Sequence, residues 1–122
     1  ALSLAKEAAE HKDWPQVEKY LSTAVEKAAD DGIKAIASLR LARVQIQQEQ
    51  FDKALTTLAG PIPESFTAAK EEIKGDAYLK QGKKDLARSS YQAAIAAGGQ
   101  NTNPALQMKL DDLAEVINLS KS

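Results

Sequence analysis

Ile73-Lys74-Gly75-Asp76-Ala77-Tyr78-Leu79-Lys80-Gln81-Gly82-Lys83-Lys84-Asp85-Leu86-Ala87-Arg88-Ser89-Ser90-Tyr91-Gln92-Ala93-Ala94-Ile95 is the stretch whose reading decides the fold. Gly75 and Tyr78 fall three residues apart, on one face of a first helix. Gly82 stops that helix, and Ala87, Tyr91, Ala94 and Ile95 then recur at helical spacing along a second. Small residues at 75 and 87 let two backbones approach closely, with the tyrosines filling the space beside them. The stretch is therefore a helical hairpin, and such a hairpin carries no chemistry of its own.

The flanking sequence extends the pattern in both directions. Leu2 to His11 reads as a helix with Leu4, Ala5, Ala8 and Ala9 on one side. Asp13 is an N-cap for a second helix with Pro15 in its first turn, where a missing N–H is harmless. Val17, Leu21, Ala24 and Val25 form its stripe, and Asp31-Gly32 is expected to close it. A third helix is expected over Ile33 to Gln50, and Phe51 and Asp52 open a short fourth. Gly60-Pro61-Ile62-Pro63 ends that one, because proline lacks a donor and restricts its predecessor. Glu64–Gln81 and Lys83–Ala97 give the quoted hairpin, and Gly98-Gly99-Gln100-Asn101 a loop. Asn103-Pro104 starts a last helix, with Leu106, Leu110, Leu113 and Ile117 on one side. Seven helices and no strand are predicted.

A fixed offset runs through these helices. Ala42, Ile46, Gln48, Asp52, Ala54 and Leu58 recur as Gly75, Leu79, Gln81, Asp85, Ala87 and Tyr91. Leu4, Ala5, Ala9, Trp14, Val17 and Leu21 recur as Leu41, Ala42, Ile46, Phe51, Ala54 and Leu58. Offsets near 34 residues are the mark of stacked tetratricopeptide hairpins. The expected fold is all-α: one domain over 1–122, a tetratricopeptide-like superhelix of three hairpins and a C-terminal capping helix. The hairpins cover about 1–30, 33–60 and 64–97, and the cap about 103–119. The pattern departs from the usual one at four places. Lys74 and Lys84 stand where large apolar residues are usual, Glu49 replaces a turn glycine, and Pro61 replaces a small residue.

Composition narrows the function. With 122 residues, 43% hydrophobic and 27% charged, the chain has the make-up of a single soluble domain. Sixteen basic and seventeen acidic residues give a net charge of −1, which argues against a nucleic-acid partner. Without cysteine there is neither a disulfide nor a thiolate metal site. No apolar run approaches the roughly 18 residues of a membrane span. The chain starts at Ala1, so it is expected to be a piece whose anchor segment lies upstream. His11 stands alone as a solvated side chain, and Trp14 aligns with Phe51 as a packing residue. Asp111, Asp112 and Glu115 lie opposite Leu110 and Leu113, as a wet face does. Gly98-Gly99 lacks the lysine and strand of a phosphate loop. No nucleophile–base spacing emerges. The expectation is a protein without catalytic residues, metal or cofactor.

Further detail comes from resemblance. Leu39-Arg40-Leu41-Ala42-Arg43-Val44-Gln45 is followed by Asp52-Lys53-Ala54-Leu55-Thr56-Thr57-Leu58. Later come Lys74-Gly75-Asp76-Ala77, Lys80-Gln81-Gly82-Lys83, Ala87-Arg88 and Pro104-Ala105-Leu106-Gln107-Met108-Lys109-Leu110. Across its whole length the chain resembles the YfgM family. That resemblance implies the periplasmic tetratricopeptide-like domain of a bacterial inner-membrane protein with one N-terminal span. It also implies an ancillary role at the SecYEG translocon, with translocon subunits and a periplasmic chaperone as partners.

A tetratricopeptide stack turns the first helix of each hairpin to its concave side. The candidate protein-binding residues are Ile36, Leu39, Arg40, Arg43, Ile46, Gln47, Glu72, Asp76, Leu79 and Lys80, with Leu2, Lys6 and Ala9 in the first hairpin. Arg40 and Arg43 share a helical face and either grip a partner carboxylate or pair with Glu72 or Asp76 of the next hairpin. No asparagine precedes Asn101, which speaks against a carboxylate clamp for peptide tails. The alternative to partner docking is a self-assembling structural module that dimerises through the last helix.

Overall fold

The computed structural model describes residues 13–98 and 105–121, with side chains in the last helix described as far as Leu113. The expected helix Leu2–His11 with its candidates Leu2, Lys6 and Ala9, and the loop and cap over 99–104, lie outside the described residues, as do the side chains of Glu115 and Ile117. Six α-helices are present among the described residues: α1 Trp14–Lys27, α2 Asp31–Gln47, α3 Phe51–Leu58, α4 Thr67–Lys80, α5 Lys84–Ala96 and α6 Ala105–Lys121. A 3₁₀ turn, Glu64–Phe66, precedes α4, and no strand occurs among the described residues. The chain divides into two compact units, Ala1–Glu64 and Ser65–Ser122.

In the first unit the Asp13 side chain accepts the Gln16 N–H at 3.4 Å, capping α1 with Pro15 in its first turn. Val17, Leu21 and Ala24 form the buried stripe of α1. The Asp31-Gly32 pair does not close this helix, as the sequence suggested, but opens the next. Asp30 Oδ1 accepts the N–H groups of Gly32 at 2.7 Å and Ile33 at 3.1 Å, so α2 begins at Asp31. A Cβ on residue 32 would sit 2.9 Å from that oxygen, which is why glycine suits the cap. Val17 and Leu21 pack with Leu41 and Val44, and Trp14, Tyr20 and Val25 lie against that cluster. Burial of each such leucine stabilises by about 2 kcal/mol.

Helix α2 packs against both α1 and α3. Its buried residues include Ala35, Ala37, Leu39, Leu41, Ala42, Val44 and Ile46, so most of its circumference is covered. Several polar side chains between these helices are paired. Glu18 accepts hydrogen bonds from Gln45 at 3.4 Å and Gln48 at 2.7 Å, and its carboxylate lies 3.7 Å from Lys53 Nζ. The Thr57 hydroxyl donates to Gln45 Oε1 at 2.7 Å.

In the second unit α5 packs against α4 and α6. Ala87, Tyr91, Ala94, Leu106 and Leu113 form its core, with Tyr78, Ile95 and Leu110 alongside. The leucine stripe read in the last helix thus covers α5 as a cap should. Gly75 lies beneath the Tyr91 ring: a Cβ there would be 2.5 Å from Cε1 and 2.6 Å from Cδ1.

The repeat offset reappears in backbone geometry. After α2, Glu49 N–H bonds Ile46 O and Gln50 N–H bonds Gln45 O; after α4, Gly82 N–H bonds Leu79 O and Lys83 N–H bonds Tyr78 O. Both are Schellman ends, with φ of 63° at Glu49 and 78° at Gly82. A side chain in that conformation costs roughly 1–2 kcal/mol, partly offset by the larger chain entropy glycine loses. Glu49→Gly is therefore expected to raise stability by about 0.5–1 kcal/mol, and Gly82→Ala to lower it by a similar amount. Thermal denaturation followed by circular dichroism decides the sign; a destabilised Glu49→Gly contradicts the strain.

Candidate protein-interaction faces

Because α1 and α3 cover two sides of α2, only a narrow stripe of that helix meets solvent. Ile33, Ile36, Arg40, Arg43 and Gln47 are exposed and recur at steps of three and four residues. Ile33 and Ile36 are 50% and 38% exposed. Arg40 and Arg43 are also exposed, and among the described residues their side chains form no hydrogen bond or ion pair.

Four of the six candidates read on this helix, Ile36, Arg40, Arg43 and Gln47, thus share one exposed stripe. Leu39 and Ile46, expected to be exposed, are buried. They lie on the flank of the stripe, where neighbouring residues of a helix nearly buried all round are also covered. Ile33 was missed, because the helix was expected to begin there; the signal was Asp30, whose cap places Ile33 a full turn before Ile36.

On α4 of the second unit Leu79 and Lys80 are exposed, Leu79 by 40%. Glu72 and Asp76 do not belong to an open face. Lys109 Nζ of α6 donates to Glu72 Oε2 at 2.8 Å and to Asp76 Oδ1 and Oδ2 at 3.2 and 3.3 Å. The Tyr91 hydroxyl donates to Asp76 Oδ1 at 2.5 Å. Glu72 is buried and Asp76 half-buried. A buried carboxylate is expensive without a partner, and α6 delivers a cation to both. Both acids thus find partners inside their own unit.

The cluster holds its protons firmly. Burial pushes the Tyr91 phenol well above its usual range, and the Asp76 and Glu72 carboxylates add to that. Burial by itself lowers the Lys109 ammonium, but the hydrogen bonds and charges of Glu72 and Asp76 outweigh it and hold the group above the ordinary lysine value. Such a group is a permanent tie between α4, α5 and α6, not a proton donor at neutral pH. Among the described residues no three histidine, cysteine or acidic side chains are grouped to hold a metal ion. Nor is any helix among them long and apolar enough to cross a membrane.

Helical hairpins offset by 33 residues, with matching helix ends and an exposed stripe along α2, define a helical-repeat interaction protein. The chain belongs to the tetratricopeptide repeat-like domain family, whose model matches residues 1–115. It is similar to the ancillary SecYEG translocon subunit of Aggregatibacter actinomycetemcomitans, 37% identical over 112 residues, 92% of this chain and 55% of that one. The Haemophilus influenzae protein of the same name is likewise 37% identical over 92% of this chain and 55% of its own. The Escherichia coli (strain K12) one is 33% identical over 93% and 56%. The chain thus spans about half the length of the curated relatives it matches. These relatives bear out the resemblance read from the Arg40–Gln45 run and the Gln107–Leu110 end. No solved structure matches the chain.

Proposed function

We propose that this chain is a non-catalytic docking domain of an ancillary SecYEG translocon subunit, binding secretion-machinery proteins through the exposed stripe of α2. The observation that carries this reading is an open row of apolar and cationic side chains on a helical-repeat fold whose relatives bear that name. Leu79 and Lys80 of α4 offer a second contact in the other unit. The domain lies on the periplasmic side of the inner membrane, held by a single upstream span, and links the translocon to a periplasmic chaperone. It uses no cofactor and no nucleic acid.

This chain has no cysteine, so the only background to an introduced cysteine comes from outside these 122 residues, where any cysteine is first replaced by serine. In the full-length membrane protein, Gln47→Cys carrying a photo-crosslinker is expected to form an adduct with a translocon subunit. Glu26→Cys, exposed on α1, is expected to form none. Equal adducts at both positions, or none at residue 47, remove the α2 stripe as the docking face. A membrane-impermeant maleimide is expected to label Gln92→Cys in intact spheroplasts; labelling only after lysis contradicts the periplasmic placement.

A further inference from the structure

The α2 stripe has a charge character that specifies its partner more closely. From Gly32 to Gln48 the chain carries Lys34, Arg40 and Arg43 and not one Asp or Glu, although the whole chain is net negative. Among the described residues four cations are matched: Lys53 lies within 4.0 Å of Glu18, Lys74 of Glu71, Arg88 of Asp85, and Lys109 of both Glu72 and Asp76. Lys19, Lys27, Lys34, Lys70, Lys80, Lys83 and Lys84 have, like Arg40 and Arg43, no acid within 4.0 Å. What sets α2 apart is that its cations stand on a helix face without a single acid. Arg40 and Arg43 sit one turn apart on the solvent side. Two exposed isoleucines precede them on the same stripe.

We propose that the α2 stripe receives an acidic amphipathic segment of a partner protein, two apolar side chains covering Ile33 and Ile36 and two carboxylates meeting Arg40 and Arg43. This rests on the docking reading above and adds the chemistry of the occupant. The stripe spans the 15 residues from Ile33 to Gln47, whose 14 rises of 1.5 Å make about 21 Å, the length of a four-turn helix. Guanidinium groups suit carboxylates because both present paired atoms in a plane. Planar bidentate pairing adds specificity that a lysine patch lacks. An anionic membrane surface is matched instead by clusters of four to eight basic residues, and this stripe has two. The isoleucines set the register: an acidic segment without apolar residues leaves them in water.

The test uses three synthetic helical peptides of about 15 residues. One carries two leucines and, a turn later, two glutamates; the second has lysines for the glutamates; the third has serines for the leucines. Fluorescence anisotropy against the 122-residue chain is expected to rank the acidic leucine peptide about tenfold or more above either relative. The double variant Arg40→Glu/Arg43→Glu is expected to keep its far-ultraviolet spectrum and reverse the preference toward the lysine peptide. Ile36→Ser weakens the acidic leucine peptide without changing the sign of the charge preference. The proposal is overturned if no peptide binds, if the double variant keeps the original ranking, or if phosphatidylglycerol vesicles depend on the two arginines as strongly as the acidic peptide does. The Gln47→Cys crosslink separates the two readings. If the crosslink persists without a charge preference, the acidic occupant is refuted and docking stands; if the crosslink is absent, docking itself is refuted.

Discussion

Replacing Gly75 with alanine is expected to destabilise the second unit by about 1–2 kcal/mol, although alanine is the better helix former. The new Cβ would fall 2.5 Å from Tyr91 Cε1 and 2.9 Å from Cζ, and the ring is fully buried, with its hydroxyl bonded to Asp76. The ring cannot retreat without losing that bond and the packing of Ala87, Ala94 and Leu106. Overpacking costs roughly 1–3 kcal/mol, and reaches the upper part of that range where contacts would fall below 3 Å on a ring held at both ends. Against about 1 kcal/mol gained in helix propensity, a net loss of about 1–2 kcal/mol is left. Tyr91→Ala alone is expected to cost about 3–4 kcal/mol, because it leaves a ring-sized cavity in the core. Combined, the two substitutions should not add. Without the ring, Gly75→Ala becomes stabilising by about 1 kcal/mol, a coupling of about 2–3 kcal/mol. Urea denaturation of the four proteins in this cycle measures that coupling. Additive effects mean that glycine at 75 is not there for the tyrosine.

The same pair shows why the architecture was legible in the residues. At the repeat-equivalent positions the first unit carries Ala42 and Leu58, both buried. A larger small residue accompanies a smaller large one, so the sum is kept while the identities change. Size class survives in a string of letters, and so the hairpins, the stop at Gly82, the covering role of α6 and the subfamily could all be read. The boundary of α2 was missed because Asp30, Asp31 and Gly32 suit a helix end and a helix start equally. Only the hydrogen bonds of Asp30 choose between them. The faces were half legible. Period 3.6 placed Arg40, Arg43 and Gln47 together, but it could not tell how far α1 and α3 wrap round α2, and Leu39 and Ile46 fell on the covered side. Glu72 and Asp76 were misread for a different reason. Their partner Lys109 is 37 and 33 residues away, and no local pattern announces a lysine that reaches back across two helices.

Lys109→Met is expected to cost about 2 kcal/mol at neutral pH while leaving the side-chain stem packed. Removing one partner of a fully buried ion pair costs roughly 3–5 kcal/mol. The Lys109 side chain is 36% exposed and its partners Glu72 and Asp76 are 8% and 23% exposed, so solvent screening reduces the figure. Glu72→Gln in the Lys109→Met background should recover part of the loss, because the acid then no longer stands buried and charged. The pH dependence follows from the direction of the shifts. Lys109 and Tyr91 both hold their protons more tightly folded than unfolded. Their contribution is therefore complete below the unfolded values, near pH 10, and is lost as the pH climbs through the raised folded ones. The melting temperature of the wild-type chain should be insensitive to these groups from about pH 7 to 9 and fall above about pH 10. The gap between wild type and Lys109→Met should narrow over the same alkaline range, since the unfolded lysine gives up its proton first and the folded state then has to hold one that the unfolded chain does not. A gap that stays constant from about pH 7 to 11 would mean that the methylene stem of Lys109, and not its charge, holds α6 to α4.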